Sequence, residues 1–246
     1  MYGRRVDRHV RLARVHNLRD VGGYPTTDGH TVAWGRLYRS GSLASLEGDD
    51  LERFERLGIR TVIDLRYPQE IGRNGRVPDL PGLTFYNFSV EHRPYDQTVV
   101  DPSVLPAPFF ADRYAEVAQD GVVELGQTLE VIAGAGELPL LFHCHAGKDR
   151  TGIVAALVLS LVGVARDDVV TDFALSNLAT SRFLADRVAQ GRPIPAWPGF
   201  AEAPADAMRL FLRGLDERHG SVRDYARHEL GLSEDVLDAL AVRLLQ

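Results

Sequence analysis

A single cysteine, Cys144, stands in a chain of 246 residues. No internal disulfide can form, and neither a paired-cysteine redox motif nor a cysteine-rich zinc site can be built. Lysine is equally scarce: of 28 basic residues only Lys148 is not an arginine. The eight histidines show no HExxH or other close ligand pair, so no metal is expected, and no motif calls for a cofactor. The longest largely apolar run, residues 153–164, falls short of the roughly 20 residues that span a bilayer, so no integral membrane segment is expected. Nor is there an excess of positive charge. The net charge of −6 argues against a nucleic-acid partner, which would call for a basic face. The opening MYGRRVDRHVRLARVHNLRD is basic but has no apolar stretch, so a secretory leader is not expected. A cytoplasmic location follows as the default, with export lacking a cleavable leader left open. Repeats and low-complexity segments are absent, and the oligomeric state is not legible.

What is present alternates early and turns helical late. Gly22-Gly23 and Asp28-Gly29 predict a small hairpin before a strand at 35–39. A helix is expected over 45–57, stopped by Gly58. The β-branched runs IRTVIDLR (59–66) and LPLLFHC (138–144), with 83–88, read as buried strands. Residues 111–134 read as helix broken near Gly121, and 151–164 as a nearly all-apolar helix. Further helices are expected over 167–177, 178–190, 204–218, 221–229 and 233–245. Strands interleaved with helices predict an α/β fold: three layers, a mostly parallel central sheet flanked by helices, with additional C-terminal helices. The chain reads as one domain, 1–246, with a helical portion at 178–246. Between 91 and 112, prolines, aromatics and aspartates break every period, and a long loop that serves as a lid is expected.

Both singletons, Cys144 and Lys148, fall within CHAGKDR. Cys144 closes a strand, and Arg150 follows six residues later at the start of the apolar helix. A tight loop there presents successive backbone N–H groups backed by the positive end of a helix, an arrangement that binds tetrahedral dianions. The same field favours the thiolate, the nucleophilic form of cysteine. A guanidinium grips two phosphate oxygens with its planar fork. A Walker-type nucleotide loop is excluded, because Phe142 and Asp149 stand where glycine and Ser or Thr are needed.

HCHAGKDRTG resembles the active-site loop HC-x5-R-[ST] of the cysteine-based protein tyrosine phosphatases. The AGKDRTG form is similar to the bacterial subfamily with activity on phosphotyrosine and phosphoinositides, typified by secreted mycobacterial and Listeria enzymes. NLRDVGGY (17–24), LYRSG (37–41), IDLR (63–66), DFALSN (172–177) and GSVRDYARHELGLS (220–233) extend the resemblance over nearly the whole chain. It implies the cysteine phosphatase fold and a phosphorylated protein or phosphoinositide as substrate. Cys144 is then the nucleophile, Arg150 the phosphate clamp, and Thr151 the hydroxyl that helps the thiolate leave. The amides of His145, Ala146, Gly147, Lys148, Asp149 and Arg150 form the cradle. A rhodanese-like sulfurtransferase also sets cysteine in an anion-binding loop, but the arginine spacing and flanking blocks favour the phosphatase. A binding-only relative typically lacks the cysteine or the arginine, and both are here.

Many members take a proton donor from a separate WPD loop. None exists in this chain; Trp197-Pro198 is followed by Gly199. The resemblance implies Asp149 instead, since a carboxyl beside a thiolate and a phosphate dianion is favoured in its neutral form. Asp64 is the alternative acid or loop organiser, followed by Asp96, Asp101 and Asp112. Lys148 adds a compact cation suited to a second phosphate. His143 is expected to steer the loop, His145 to wall the pocket, and Arg19 and Arg39 to be structural or to extend a cationic pocket.

Overall fold

The computed structural model describes residues 7–246; residues 1–6, which open the basic N-terminal segment, lie outside the described residues. Strand β1 (Arg19–Asp20) precedes β2 (Leu37–Ser40), joined by the expected hairpin, in which the Thr26 amide donates to His30 O at 2.9 Å. Helix α1 (Gly48–Glu55), β3 (Thr61–Asp64), α2 (Pro68–Asn74) and β4 (Thr84–Asn87) follow. Helices α3 (Pro106–Asp120) and α4 (Val122–Glu130) lead into β5 (Leu140–His143), α5 (Asp149–Leu161) and α6 (Arg166–Ala174). The chain closes with α7 (Thr180–Ala189), α8 (Ala205–His219), α9 (Val222–His228) and α10 (Glu234–Leu244). No helix among the described residues is long and apolar enough to cross a membrane.

The sheet runs β1-β2-β5-β3-β4, and only β1 is antiparallel to its neighbour. Strand β5 is central, and β2, β3 and β5 are buried throughout, as continuous apolar runs in a covered parallel sheet require. Successive side chains point to opposite faces. Leu37, Ile63, Leu140 and Phe142 therefore join one core with Phe110, Phe173 and Phe211. Tyr38, Val62 and Leu141 join a second core with Leu12, Leu18 and Phe54. Three layers result. Helix α5 is apolar on every side because it is buried along nearly its whole length.

Two expectations need correction. The irregular segment after β4 ends at Leu105, not 112, because Pro106 and Pro108 sit in the first turn of α3, where a missing N–H is no loss. Residues 68–74, unassigned from sequence, form α2. Its start carries Pro68 followed by Glu70, whose carboxylate accepts from the Tyr67 amide at 3.1 Å, a capping-box arrangement.

Candidate active site

Residues 144–148 turn the chain from the end of β5 into the first turn of α5. The turn depends on Gly147, with φ +69°; a Cβ there would lie 2.4 Å from Ser40 C and 2.5 Å from Gly41 N. Only glycine accepts both the conformation and the approach. The loop's carbonyls point outward to partners. His145 O accepts from the Ser42 amide at 2.9 Å, and Gly147 O accepts from Asn17 Nδ2 at 2.7 Å and Arg39 Nη2 at 3.0 Å. The amides of His145 through Arg150 find no acceptor among the described residues. A row of amides without acceptors at a helix N-terminus is an anion site. Cys144, at 3% exposure, lies at the root of this row.

The loop is braced from beneath by a fully buried ionic cluster. Asp172 on α6 accepts from Arg19 Nε at 3.1 Å and Arg39 Nη1 at 2.6 Å. Asn17 bonds both Arg19 and the loop. Burial would raise the Asp172 carboxyl, but the two guanidiniums overcome it and hold it well below the usual carboxylate range. Burial, then the neighbouring Arg19, pushes Arg39 down to about 10. Arg19 and Arg39 are thus structural. Their charge is spent on Asp172 and does not extend a substrate pocket.

Asp64, the alternative acid or loop organiser and a candidate substrate contact, does not line the cavity above the loop. It is fully buried, with Arg66 Nε 2.9 Å from Oδ1 and Arg66 Nη2 2.6 Å from Oδ2. Burial works against its charge, yet His143 and Arg66 leave it lowered and ionised. Both oxygens of Asp64 are thus engaged by Arg66, an arrangement that fits an organiser. His143, buried and pushed down by desolvation, donates from Nδ1 to Cys144 O at 3.1 Å, the contact a loop-steering residue would make. Asp96 and Asp101 cap local turns through the Thr98 and Ser103 amides, and Asp112 sits exposed on α3.

A cavity of about 500 Å³ opens above the loop, floored by His145, Ala146, Lys148 and Asp149. Thr151 is fully buried and its hydroxyl has no partner among the described residues. Asp149 Oδ1 accepts from Tyr114 Oη at 2.6 Å and lies 3.2 Å from Lys148 Nζ. Lys148 is buried. Its ammonium donates to Glu202 O at 2.7 Å and stands 3.9 Å from the Phe110 ring centre. Its ammonium is therefore engaged rather than free.

Arg150 meets two carboxylates that the sequence reading missed. Glu70 accepts from Nη1 at 2.6 Å and Nη2 at 3.3 Å, while a Glu91 oxygen lies 3.7 Å from Nε. Burial opposes the Arg150 charge, but Cys144, Glu70 and Glu91 raise it well above its ordinary value. Pro68-Gln69-Glu70 carried a helix-start signal that could have located Glu70; nothing local marked Glu91.

A sequence model described as the tyrosine phosphatase family matches residues 10–246. The chain belongs to this family. A Cupriavidus necator protein named "Putative tyrosine-protein phosphatase" is 33% identical, covering 88% of this chain and 82% of its own. The triple specificity protein phosphatase PtpB of Mycobacterium tuberculosis is 29% identical over 93% of this chain and 96% of its own. The crystal structure of P. aeruginosa TpbA aligns with a TM-score of 0.36 at 19% identity, over 74% of this chain and 88% of that one. As a family member the protein is a phosphoric monoester hydrolase of the protein tyrosine phosphatase kind.

Proposed function

We propose that this phosphatase cleaves phosphotyrosine in proteins by passing the phosphoryl group to Cys144 Sγ and then to water. The observation that carries this reading is the row of acceptor-less amides from His145 to Arg150, with Cys144 at one end and the Arg150 guanidinium at the other. Those donors match the non-bridging phosphate oxygens, and fixed donors of this kind stabilise charge that develops in the transition state. The thiolate attacks phosphorus; the S–P bond forms as the bond to the tyrosine oxygen breaks. That oxygen takes a proton from a carboxylic acid, Asp149 in the role implied by resemblance, whose second oxygen can carry the proton while Oδ1 accepts from Tyr114 Oη. Water then gives a proton to the Asp149 carboxylate and attacks phosphorus, the S–P bond breaks, and the unpartnered Thr151 hydroxyl donates a hydrogen bond to the returning thiolate. A catalytic thiol needs to stay reduced, which favours a cytoplasmic setting.

A phosphoinositide is the second reading. The same cavity is rimmed by Arg14, Arg187 and Arg192, cations placed for further phosphates on a larger headgroup.

Cys144→Ser should lower hydrolysis of an activated aryl phosphate by on the order of 10³-fold or more. Rapid acid quench of the native enzyme should trap phosphate on sulfur. Comparable turnover by the two proteins would end the nucleophile assignment. A panel of phosphotyrosine peptides and inositol lipids, compared by kcat/KM, separates the two substrate readings.

A further inference from the structure

Taking Arg150 as the phosphate ligand, as above, we propose that Glu91 is its proton-linked partner. Ionised, Glu91 faces the Nε edge of the guanidinium in the free enzyme, and it takes up one proton when a phosphate dianion claims that edge. Glu70 already occupies the Nη1 and Nη2 side. Nε is the edge left for substrate, and Glu91 lies 3.7 Å from it, with both side chains only 12% exposed.

The surroundings decide which carboxylate yields. Glu91 is faced by Arg150 and Asp149 from the start of α5, by Glu70 and Tyr67 from α2 and its cap, and by Tyr95 from the segment that follows. Three carboxylates therefore crowd two cations, Arg150 and Lys148, before any substrate arrives. A dianion adds two negative charges to a poorly solvated space, and protonating one carboxyl relieves the repulsion. Glu70 is held by two guanidinium nitrogens and the Tyr67 amide, and sits below its ordinary value despite burial. Asp149 has Tyr114 and Lys148. Glu91 faces the Tyr67 hydroxyl, the smallest of the influences on it, and has one long contact to Arg150. Burial pushes it up to about 7, with Asp149 and Glu70 opposing the pull of Arg150. It is the carboxyl most easily protonated near neutral pH.

Coupling to one proton makes dianion affinity fall by up to about tenfold for each pH unit above that midpoint. Sulfate is a suitable probe because it stays a dianion throughout. The protein is the full chain with Cys144→Ser and Asp149→Asn, so that neither the thiol nor the proposed acid titrates. His145 is pushed below its ordinary value by burial and stays neutral in the same window. Calorimetry in two buffers of different ionisation enthalpy should show about one proton taken up per sulfate near pH 8. Adding Glu91→Gln, or Glu91→Ala should the first variant fold poorly, should abolish that uptake, flatten the pH dependence and tighten sulfate binding at the alkaline end. Unchanged uptake in the Glu91 variants overturns the proposal, as does absence of uptake in the parent. Failure of the parent to bind sulfate at any pH would instead count against the phosphate site itself.

Discussion

Asp172 is 1% exposed and shares its two oxygens between two arginines with no exposed surface. Arg39 passes that restraint to the active-site loop through Gly147 O. Burying three charges is costly unless each is paired, and removing one partner leaves the others stranded. Asp172→Asn should therefore destabilise the fold by about 3–5 kcal/mol and depress kcat/KM, as the Gly147 carbonyl loses its anchor. The pH dependence has a definite sign. The folded carboxyl titrates below its unfolded value near 3.9. Its contribution is complete above about pH 4 and is lost as pH falls through the depressed folded value. Urea unfolding as a function of pH checks this: the native enzyme should lose stability below about pH 4, and the Asn variant should lack that component. Equal stability of the two proteins at neutral pH would show that the cluster is not the brace.

Helix α2 does two jobs with one side chain. Glu70 caps its own helix through the Tyr67 amide and holds the Arg150 fork. Glu70→Gln keeps an amide acceptor but removes the charge. A charge-assisted hydrogen bond contributes about 1.5–3 kcal/mol, so kcat/KM should fall by about 10–100-fold with little change in Tm. Glu70→Ala should lose about 0.5–2 kcal/mol more in stability. Steady-state kinetics paired with thermal unfolding tests the split; a Gln variant that lost stability but not activity would refute it. The same helix shows where reading a sequence succeeds and stops. Strands β3 and β5 and helix α5 were legible because their apolar runs answer to burial alone. Helix α2 has no buried residue, so no hydrophobic period announced it, and only Pro68 and Glu70 marked its start. At Pro106 the error ran the other way: prolines that look like loop are the first turn of α3.

Across the whole molecule, the loop was legible as a motif, while its supports were not, because they come from distant segments. Asn17, Arg39 and Asp172 meet it from beneath. From above, the C-terminal half closes over it: Trp197 Nε1 donates to Val104 O at 2.8 Å, and Glu202 O receives Lys148. The direction of the lysine ammonium depends on where residue 202 lies, which no local pattern encodes. Expected to meet a second phosphate, it instead ties the loop to the segment between α7 and α8 and lies 3.2 Å from Asp149. Two mechanisms then predict different kinetics for Lys148→Met, which keeps the stem beside Phe110. A lipid contact would be lost only with inositol lipids. A strut acts on the loop whatever the substrate. Loss of the charge-assisted bond to Glu202 O should lower kcat by about 10–100-fold, by the same factor for an aryl phosphate, a phosphotyrosine peptide and an inositol lipid. A loss confined to the lipid would return Lys148 to substrate recognition and show that its ammonium leaves Glu202 when such a headgroup binds.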